Sequence, residues 1–364
     1  HEPGSTFKLV DLIAVLDDKK ADTSTVYDSK GGRIQYYGRS VKDSNGKGYG
    51  KISLARGFEL SSNTILVQSV YDSYKSNPKQ FVDRINSYGL NKPLGLLIKG
   101  EGIPVIPQPG TNRWSGVALP WMAFGYGLSV TPLQTLTLYN AVANDGVMVK
   151  PIFVSEIKEW NKTIKKFDTQ VINPKICSQE TLDKVHAVLE NVVKKGTGSK
   201  LYSKDFSMAG KTGTAQVNYK DKSKLYYASS FVGYFPADEP KYSCIVVVHK
   251  PNVAAGYYGA DVAGPVFKRI AQKIFTDSPS TNHVKNIDAK VVSQEKKYSE
   301  YYKKVEKEER IIPNVKGMDG MDAVALLENL GLKVKVIGVG RVKKQSLTSG
   351  QAFNKNQTII IELS

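Results

Sequence analysis

Near its start the chain reads Glu2-Pro3-Gly4-Ser5-Thr6-Phe7-Lys8, a stretch in which a serine and a lysine lie three residues apart. Apolar residues follow at helical spacing, at Leu9, Val10, Leu12, Ile13 and Leu16. Because residues three apart share one face of a helix, a helix that begins at Ser5 places the Lys8 amine beside the Ser5 hydroxyl. A serine is a weak nucleophile until a base accepts its proton, and a lysine can be that base once its pKa is lowered. The same spacing is equally typical of a helix-capping serine followed by a surface lysine.

Two further motifs follow along the chain. Ser61-Ser62-Asn63 offers a hydroxyl and an amide two positions apart, which can relay a proton and hold a substrate carbonyl, although these residues are also common in ordinary turns. Lys211-Thr212-Gly213-Thr214 reads as a strand on which Thr212 and Thr214 face the same side. Two hydroxyls near a lysine form a binding site for a carboxylate, and the glycine leaves room for a docked peptide backbone. In this order the three motifs are those of penicillin-binding proteins and serine β-lactamases.

The chain resembles the class B penicillin-binding proteins, and more closely their division-type than their elongation-type members. The resemblance covers residues Glu2 to about Phe275. Besides the first motif, it rests on Ala209 to Gln216, Phe124 to Gln134, Gly196-Thr197-Gly198 and Ser230 to Pro236. It implies an α+β fold of the penicillin-binding and serine β-lactamase type, in which helices flank an antiparallel sheet.

The pattern of elements leads to the same fold class. Helices come first and strands cluster late, which predicts an α+β domain with an antiparallel sheet. The predicted segments are a helix from Ser178 to Gly196, a strand after Lys211, strands at Ser229 to Phe235 and Tyr242 to His249, and a helix from Gly264 to Phe275.

The resemblance implies a catalytic role for four residues. Ser5 is the nucleophile, which attacks the penultimate D-Ala carbonyl of a stem peptide ending in D-Ala-D-Ala and releases the last D-Ala. Lys8 takes the serine proton. Ser61 and Lys211 pass a proton to the leaving amine. An amine from a neighbouring stem peptide then resolves the acyl-enzyme, and β-lactams trap Ser5 by mimicking the substrate.

The remaining motif residues are implied to bind substrate. Asn63 holds the substrate amide, and Thr212 and Thr214 bind the terminal carboxylate on either side of Gly213. The backbone amides of Ser5 and Thr214 form the oxyanion hole, in which one donor contributes about 2.7–4 kcal/mol in comparable enzymes.

Members of this family carry a helix and the first strands of the central sheet before the nucleophile motif, whereas this chain begins four residues before Ser5. We therefore expect a fold that lacks its N-terminal strands, completed by an upstream segment or another chain, because a bare sheet edge exposes backbone hydrogen-bonding groups. No run of about 18 apolar residues occurs. We expect a membrane anchor upstream of this sequence and a location on the extracytoplasmic, periplasmic side of the membrane.

The sequence changes character after Phe275. Residues 1–275 are predicted to form an N-terminally truncated transpeptidase domain, residues 276–310 a charged linker, and residues 311–364 a small module that resembles a PASTA domain. The module is predicted from a helix at Met321 to Leu330, a strand at Leu332 to Val336 and a closing strand at Thr358 to Leu363. It carries no catalytic cluster, which favours a binding or spacing role.

The amino-acid composition limits the kinds of partner that the chain is expected to bind. Against 34 acidic residues, 51 lysines and arginines give a net charge of +17, which indicates an anionic environment. Zinc-finger spacing, RNA-binding aromatic motifs and a helix-turn-helix are missing from the sequence, so nucleic acid is disfavoured. The four histidines lack metal-ligand spacing, and we expect neither a metal nor a cofactor. Two cysteines, Cys177 and Cys244, make no disulfide framework.

The sequence is compatible with three functions. The first is a peptidoglycan D,D-transpeptidase of septal cell-wall synthesis, a β-lactam target that works with a membrane glycosyltransferase and division proteins. The second is a D,D-carboxypeptidase or β-lactamase-type hydrolase, which shares the acylation step but passes the acyl group to water. The third is a non-catalytic β-lactam sensor or wall-binding scaffold. Intact Ser5, Lys8 and Lys211 argue against the third.

Overall fold

The computed structural model describes residues 1–160, 162–219, 221, 223–254, 256–277 and 310–364. The chain divides into two compact units, His1–Pro279 and Ser280–Ser364. Each unit has a hydrophobic core of its own. Most of the expected linker, from 278 to 309, lies outside the described residues. The three domain limits given above stay predictions.

The described part of the first unit is rich in helices. They are α1 (Lys8–Asp17), α2 (Leu54–Glu59), α3 (Asn63–Tyr74), α4 (Pro78–Ser87), α5 (Ala118–Met122), α6 (Pro132–Ala143), α7 (Gln179–Lys195) and α8 (Gly259–Asp277). Three 3₁₀ turns accompany them, at Gly4–Phe7, Lys30–Gly32 and Ser199–Leu201. The predicted C-terminal helix of this unit therefore begins five residues earlier than expected.

The strands of this unit form one antiparallel sheet and several short pairs. They are β1 (Val26–Asp28), β2 (Arg33–Tyr36), β3 (Arg39–Lys42), β4 (Lys51–Ser53), β5 (Met148–Val149), β6 (Glu156–Glu159), β7 (Lys162–Lys166), β8 (Val171–Asn173), β9 (Ala209–Val217), β10 (Tyr226–Phe235) and β11 (Tyr242–His249). The sheet has the order β11-β10-β9, and β1 pairs with β4, β2 with β3, β5 with β8 and β6 with β7. Helices around an antiparallel sheet confirm the predicted α+β fold class.

Helices cover both faces of this sheet. Alternate residues of a strand point to opposite faces. On β10, Val232 and Tyr234 belong to the main core with α1, α3 and α7, whereas Phe231 packs on Phe267 of α8, with ring centroids 4.6 Å apart. The order of layers is therefore α8, the sheet and the remaining helices.

Helix α1 lies in the middle of the main core. Every residue from Lys8 to Leu16 is buried, as is expected of a helix that is apolar nearly all round. Two charged side chains interrupt the apolar surface, those of Lys8 and Asp11, and both are fully buried. The chain enters α1 through the tighter 3₁₀ turn Gly4–Phe7, so Ser5 does not begin the α-helix itself.

Helix α7 confirms the helix predicted after Ser178. The Ser178 hydroxyl caps it by accepting the Thr181 N–H at 3.3 Å, and Gly196 ends it. The apolar face is buried along its length, at Leu182, Val185, Val188, Leu189 and Val192.

The described part of the second unit, residues 310–364, is a helix on a small sheet. Helix α9 (Gly320–Asn329) precedes β12 (Lys333–Ile337), β13 (Val342–Gln345) and β14 (Thr358–Leu363). The order is β12-β14-β13, with β12 parallel and β13 antiparallel to the central strand. Ile359 and Ile361 of β14 point into a core shared with Leu326 of α9. The predicted closing strand has the predicted bounds, whereas β13 was not predicted.

Candidate active site

One cleft of the first unit brings the three sequence motifs together. Its cavity volume is about 580 Å³. Five of the eight predicted site residues line it, namely Ser5, Ser61, Asn63, Thr212 and Thr214. The other three, Lys8, Lys211 and Gly213, are buried behind its surface. Residues more than 200 positions apart in sequence therefore meet at one place in the fold.

The turn that carries Ser5 is fixed on several sides. The Gly4 N–H donates to the Gly125 carbonyl at 3.1 Å, and a Cβ atom at Gly125 would lie 2.0 Å from the Gly4 oxygen. The Tyr139 hydroxyl of α6 donates to the Thr6 carbonyl at 2.9 Å. Only glycine at position 125 allows this close backbone approach. The serine is thus held on a rigid turn at the floor of the cleft.

The Lys8 amine joins the first motif to the second. It donates to the Ser61 carbonyl at 2.7 Å, to the Ser61 hydroxyl at 3.2 Å and to Asn63 Oδ1 at 2.7 Å. Burial lowers the pKa of Lys8 to about 7, although the charges of Asp43 and Asp11 act in the opposite direction. The neutral form of Lys8 is therefore far easier to reach near pH 7 than that of an exposed lysine, as a proton acceptor requires.

Ser61 has a backbone conformation that is uncommon for a residue with a side chain. Its φ angle is +57°, in the left-handed region. The Ser61 N–H donates to Phe58 O at 2.9 Å and the Ser62 N–H to Gly57 O at 2.8 Å. These two bonds form the Schellman motif that ends α2, in which this position usually holds glycine. The turn directs both the carbonyl and the hydroxyl of Ser61 towards Lys8.

Asp43 anchors the second motif, and the sequence reasoning did not identify it. The carboxylate is buried at the start of α3 and accepts the N–H groups of Asn63 (2.7 Å) and Thr64 (3.0 Å). It also accepts the hydroxyls of Ser62 (3.0 Å) and Thr64 (2.8 Å). A carboxylate at a helix N-terminus satisfies free N–H groups and complements the helix dipole. A lone aspartate 18 residues before Ser61 gave no signal in the sequence.

Lys211 lies on β9, fully buried behind the cleft. Its amine donates to the Thr212 carbonyl at 3.1 Å and lies 5.7 Å from the centre of the Phe58 ring. Burial, with the positive charge of Lys8 as a second cause, holds the pKa of Lys211 well below its usual range. Two buried amines, those of Lys8 and Lys211, thus lie behind the surface of the cleft. In the described residues, no hydrogen bond joins Lys211 to Ser61.

Strand β9 packs directly against the Gly4–Phe7 turn that carries Ser5. A Cβ atom at Gly213 would lie 2.3 Å from the Ser230 hydroxyl and 2.8 Å from Thr6 Cγ2. The glycine is therefore required for packing β9 on the turn and on β10, a reason the sequence did not reveal. Thr212 shares a hydrogen bond of 2.8 Å with the Thr197 hydroxyl, and Thr214 accepts the Gly259 N–H at 3.0 Å.

Tyrosines form one wall of the cleft. Tyr227 stacks on Tyr257 with ring centroids 4.2 Å apart, and Tyr257 stacks on Tyr258 at 4.5 Å. Tyr126, which lies in the stretch from Phe124 to Gln134 named above, accepts the Gln216 N–H at 2.9 Å. These residues were not among the predicted site residues, since nothing in the sequence joins them to the motifs.

The described residues contain no group of three or more His, Cys, Asp or Glu side chains that could hold a metal ion. Nor does any helix among them have the length and apolar character needed to cross a bilayer.

A serine in a cleft, three residues before a buried lysine that donates to a second hydroxyl, is an arrangement suited to acyl transfer through a serine ester. Comparison with known proteins agrees with this class. The family of penicillin-binding protein transpeptidase domains matches residues 1–272, and the PASTA domain family matches residues 310–364. The chain belongs to the penicillin-binding protein transpeptidase family and carries a PASTA domain. The resemblance stated from the sequence is confirmed.

Individual relatives are of the class B type. Stage V sporulation protein D of Bacillus subtilis is 29% identical over 100% of this chain, which covers 54% of that protein. Peptidoglycan D,D-transpeptidase FtsI of Escherichia coli is 30% identical over 74% of this chain and 42% of its own length. This chain thus spans about half the length of these curated relatives.

A solved structure shares the fold. Penicillin-binding protein 3 of Mycobacterium tuberculosis, crystallised in complex with aztreonam, superposes with a TM-score of 0.66 at 27% identity. The match covers 77% of this chain and 63% of that chain.

Proposed function

We propose that this chain is the catalytic part of a peptidoglycan D,D-transpeptidase, which cross-links stem peptides ending in D-Ala-D-Ala and is acylated by β-lactams. The observation that carries the proposal is the set of hydrogen bonds from Lys8 to Ser61 and Asn63 beside Ser5, in one cleft. These bonds join two motifs that the sequence could only place in order.

In the proposed reaction, the neutral Lys8 amine accepts the Ser5 proton as Ser5 attacks the D-Ala carbonyl. Backbone amides of Ser5 and Thr214 stabilise the oxyanion. Ser61, with Lys211 behind it, returns a proton to the leaving nitrogen. Asn63 orients the substrate amide. A second stem-peptide amine then attacks the ester and restores Ser5.

The substrate carboxylate is proposed to bind on β9. Thr212 and Thr214 are two apart on the strand and both line the cleft, which supports a shared seat for an anion. Lys211 is fully buried behind this part of the strand and is not proposed as a direct partner of the carboxylate.

One observation favours transpeptidation over hydrolysis. Among the described residues that line the cleft, the carboxylate is that of Asp261, and it pairs with Lys200 at 2.8 Å. A hydrolase needs a base to activate water for deacylation, and a carboxylate held in an ion pair is poorly suited to that role.

The wider setting is proposed from the named relatives. Peptidoglycan D,D-transpeptidase is the printed name of the Escherichia coli relative. For this chain we propose a septal role on the outer side of the cytoplasmic membrane, with an upstream anchor, a membrane glycosyltransferase and division proteins as partners.

Intact mass spectrometry with benzylpenicillin tests the proposal. We expect one stable covalent adduct, located by peptide mapping on Ser5 and lost in Ser5→Ala. Ser87→Ala, which removes an exposed hydroxyl on α4 outside the cleft, is the matched control and keeps the adduct. An adduct on another residue overturns the proposal, and rapid release of the hydrolysed drug favours the hydrolase instead.

A further inference from the structure

The segment Gly196-Thr197-Gly198 is part of the sequence resemblance, and the proposed reaction gives it no role. It follows the end of α7, and Thr197 lines the cleft. Position 196 has no room for a side chain, because a Cβ atom there would lie 2.4 Å from the Glu59 carbonyl oxygen. The segment is therefore packed closely against the end of α2, two residues before Ser61.

Thr197 joins the second motif to the third. Its backbone N–H donates to the carbonyl of Glu59, the last residue of α2, at 3.0 Å. Its hydroxyl shares a hydrogen bond of 2.8 Å with the Thr212 hydroxyl on β9. Glu59 is itself held in place, since its buried carboxylate pairs with Arg56 at 2.8 Å. Thr197 thus links Thr212 to the helix end that carries Ser61.

The hydroxyls of the proposed carboxylate site can both keep a proton free. A hydroxyl donates one proton and can accept a hydrogen bond at the same time. Thr214 accepts the Gly259 N–H at 3.0 Å, which leaves its own proton free for another acceptor. Thr212 is in the same state when Thr197 donates to it. In the described residues, the hydroxyls of Thr197 and Thr212 have no hydrogen-bond partner besides each other. Two free protons match the two oxygens of a carboxylate, a group that only accepts.

We propose that Thr197 is a positioning residue for substrate binding, whose hydroxyl donates to Thr212 and directs the Thr212 proton towards the substrate carboxylate. This rests on the proposed function, in which Thr212 and Thr214 bind that carboxylate. A hydroxyl that accepts a hydrogen bond is also a stronger donor, because hydrogen bonds in a chain polarise one another. Thr197 acts through Thr212 and not by its own contact with the substrate.

The effect of Thr197 should depend on the charge of the acyl donor. A carboxylate gains more from an aligned O–H donor than a neutral group does, since hydrogen bonds to charged groups are about twice as strong. Loss of the Thr197 hydroxyl should therefore slow acylation by an anionic β-lactam more than acylation by the neutral ester of the same compound.

The test is the second-order rate constant of acylation at Ser5, followed by intact mass spectrometry on the 364-residue chain. The probes are benzylpenicillin and benzylpenicillin methyl ester, which differ only at the carboxylate. Thr197→Val keeps the shape of the side chain and removes the hydroxyl. It should lower the rate constant for benzylpenicillin by roughly three- to tenfold, and that for the ester by no more than about twofold.

Two further variants at position 197 separate the hydroxyl from packing. Thr197→Ser keeps the hydroxyl and should keep the wild-type ratio of the two rate constants. Thr197→Ala removes the hydroxyl together with the methyl group, and it should give the same ratio as Thr197→Val.

A double-mutant cycle tests the contact with benzylpenicillin alone. Thr212→Val removes the hydroxyl through which Thr197 acts, so Thr197→Val should cause little further loss in that background.

Thr137→Val is the matched control. Thr137 is buried on α6 outside the cleft, where its hydroxyl donates to the Leu133 carbonyl at 2.8 Å. This variant should keep the wild-type rate constants for both probes.

The outcomes separate the two proposals. A wild-type chain that takes no label at Ser5 overturns the proposed function itself. If the wild type is labelled and Thr197→Val keeps the wild-type rate constant for benzylpenicillin, only the role given to Thr197 is overturned. An equal loss with both probes overturns the same role, and so does an undiminished loss in the Thr212→Val background, since the effect would then be structural.

Discussion

The two units of this chain bury different kinds of side chain. The core behind the cleft holds two lysines and two aspartates, Lys8, Lys211, Asp11 and Asp43, all nearly or fully buried. In the second unit, the side chains that are buried among residues 310–364 are apolar. Both units pack helices on a sheet, so the fold itself does not require the buried charges.

This difference distinguishes side chains that stabilise the fold from side chains that serve the proposed reaction. Removing a charge from water costs several kcal/mol unless partners compensate, and an apolar residue in its place is often no less stable. The first unit keeps four such groups behind the cleft, and burial lowers the pKa of one of them, Lys8, to about 7 against the opposite effect of Asp43 and Asp11. Changes behind the cleft should therefore alter acylation more than stability, and changes in the second unit should do the reverse.

Lys8→Met is expected to have the largest effect. The variant keeps the length and burial of the side chain and removes the proton acceptor, so acylation by penicillin should fall by about 10²–10⁴-fold. The melting temperature should stay close to the wild-type value, because a desolvated amine is lost together with its hydrogen bonds. Stopped-flow labelling and differential scanning calorimetry measure the two quantities.

Lys20→Met, an exposed lysine just after α1, is the control and should change neither quantity. Acylation of Lys8→Met at the wild-type rate would show that another base serves Ser5.

Ser61→Gly should come next, with a loss of about 10²-fold. Glycine favours the left-handed conformation of this position, so the carbonyl that Lys8 contacts stays in place and only the hydroxyl is removed. Ser61→Ala removes the same hydroxyl but keeps the backbone strain, which costs roughly 1 kcal/mol or more.

We expect the two Ser61 variants to acylate equally slowly, with glycine the more stable by chemical denaturation. Wild-type rates in both would remove the Ser61 hydroxyl from the proposed proton path and leave only its carbonyl.

Asp43→Asn should lower acylation by about tenfold. The amide cannot accept all four hydrogen bonds that the carboxylate accepts from Ser62, Asn63 and Thr64, so the second motif shifts relative to Ser5. Small displacements of catalytic groups lower rates by up to about 10². At pH 9, well above the Lys8 pKa of about 7, the loss reports geometry rather than protonation of the base.

Asp72→Asn changes an exposed carboxylate on α3, the helix whose start Asp43 contacts, where Asp72 pairs with Lys75, and it should leave acylation unchanged. If Asp43→Asn acylates at the wild-type rate at pH 9, Asp43 does not position the second motif for acylation.

The sequence predicted elements best where one periodic pattern decides them. The apolar face of α7 and the bounds of β11 and β14 followed from spacing and from β-branched runs. The start of α8 and the strand β13 did not, because the polar side chains of β13 and the glycines before α8 give no periodic signal.

The sequence predicted the motifs of the site but not the residues that hold these motifs in place. Three short motifs supplied the eight predicted site residues, and five of them line one cleft. Asp43 and the tyrosine wall reach the site only through the tertiary fold. The burial that sets the Lys8 pKa likewise depends on packing, which no local pattern contains.

Ile359→Ala tests the second unit and should have the smallest effect on acylation. Ile359 is fully buried on the central strand β14, and the truncation should cost about 2–5 kcal/mol, a large share of what a module of about 55 residues can have. All three tryptophans lie in the first unit, so their fluorescence follows that unit, while hydrogen exchange of residues 310–364 follows the second. We expect fast exchange in the second unit with an unchanged rate of penicillin labelling.

Ile360→Ala, one residue along on the outward face, is the control and should exchange as wild type does. If penicillin labelling is slower in Ile359→Ala but not in Ile360→Ala, the core of the second unit also affects acylation. The two cores would then differ in the residues that they bury and not in their effect on the reaction.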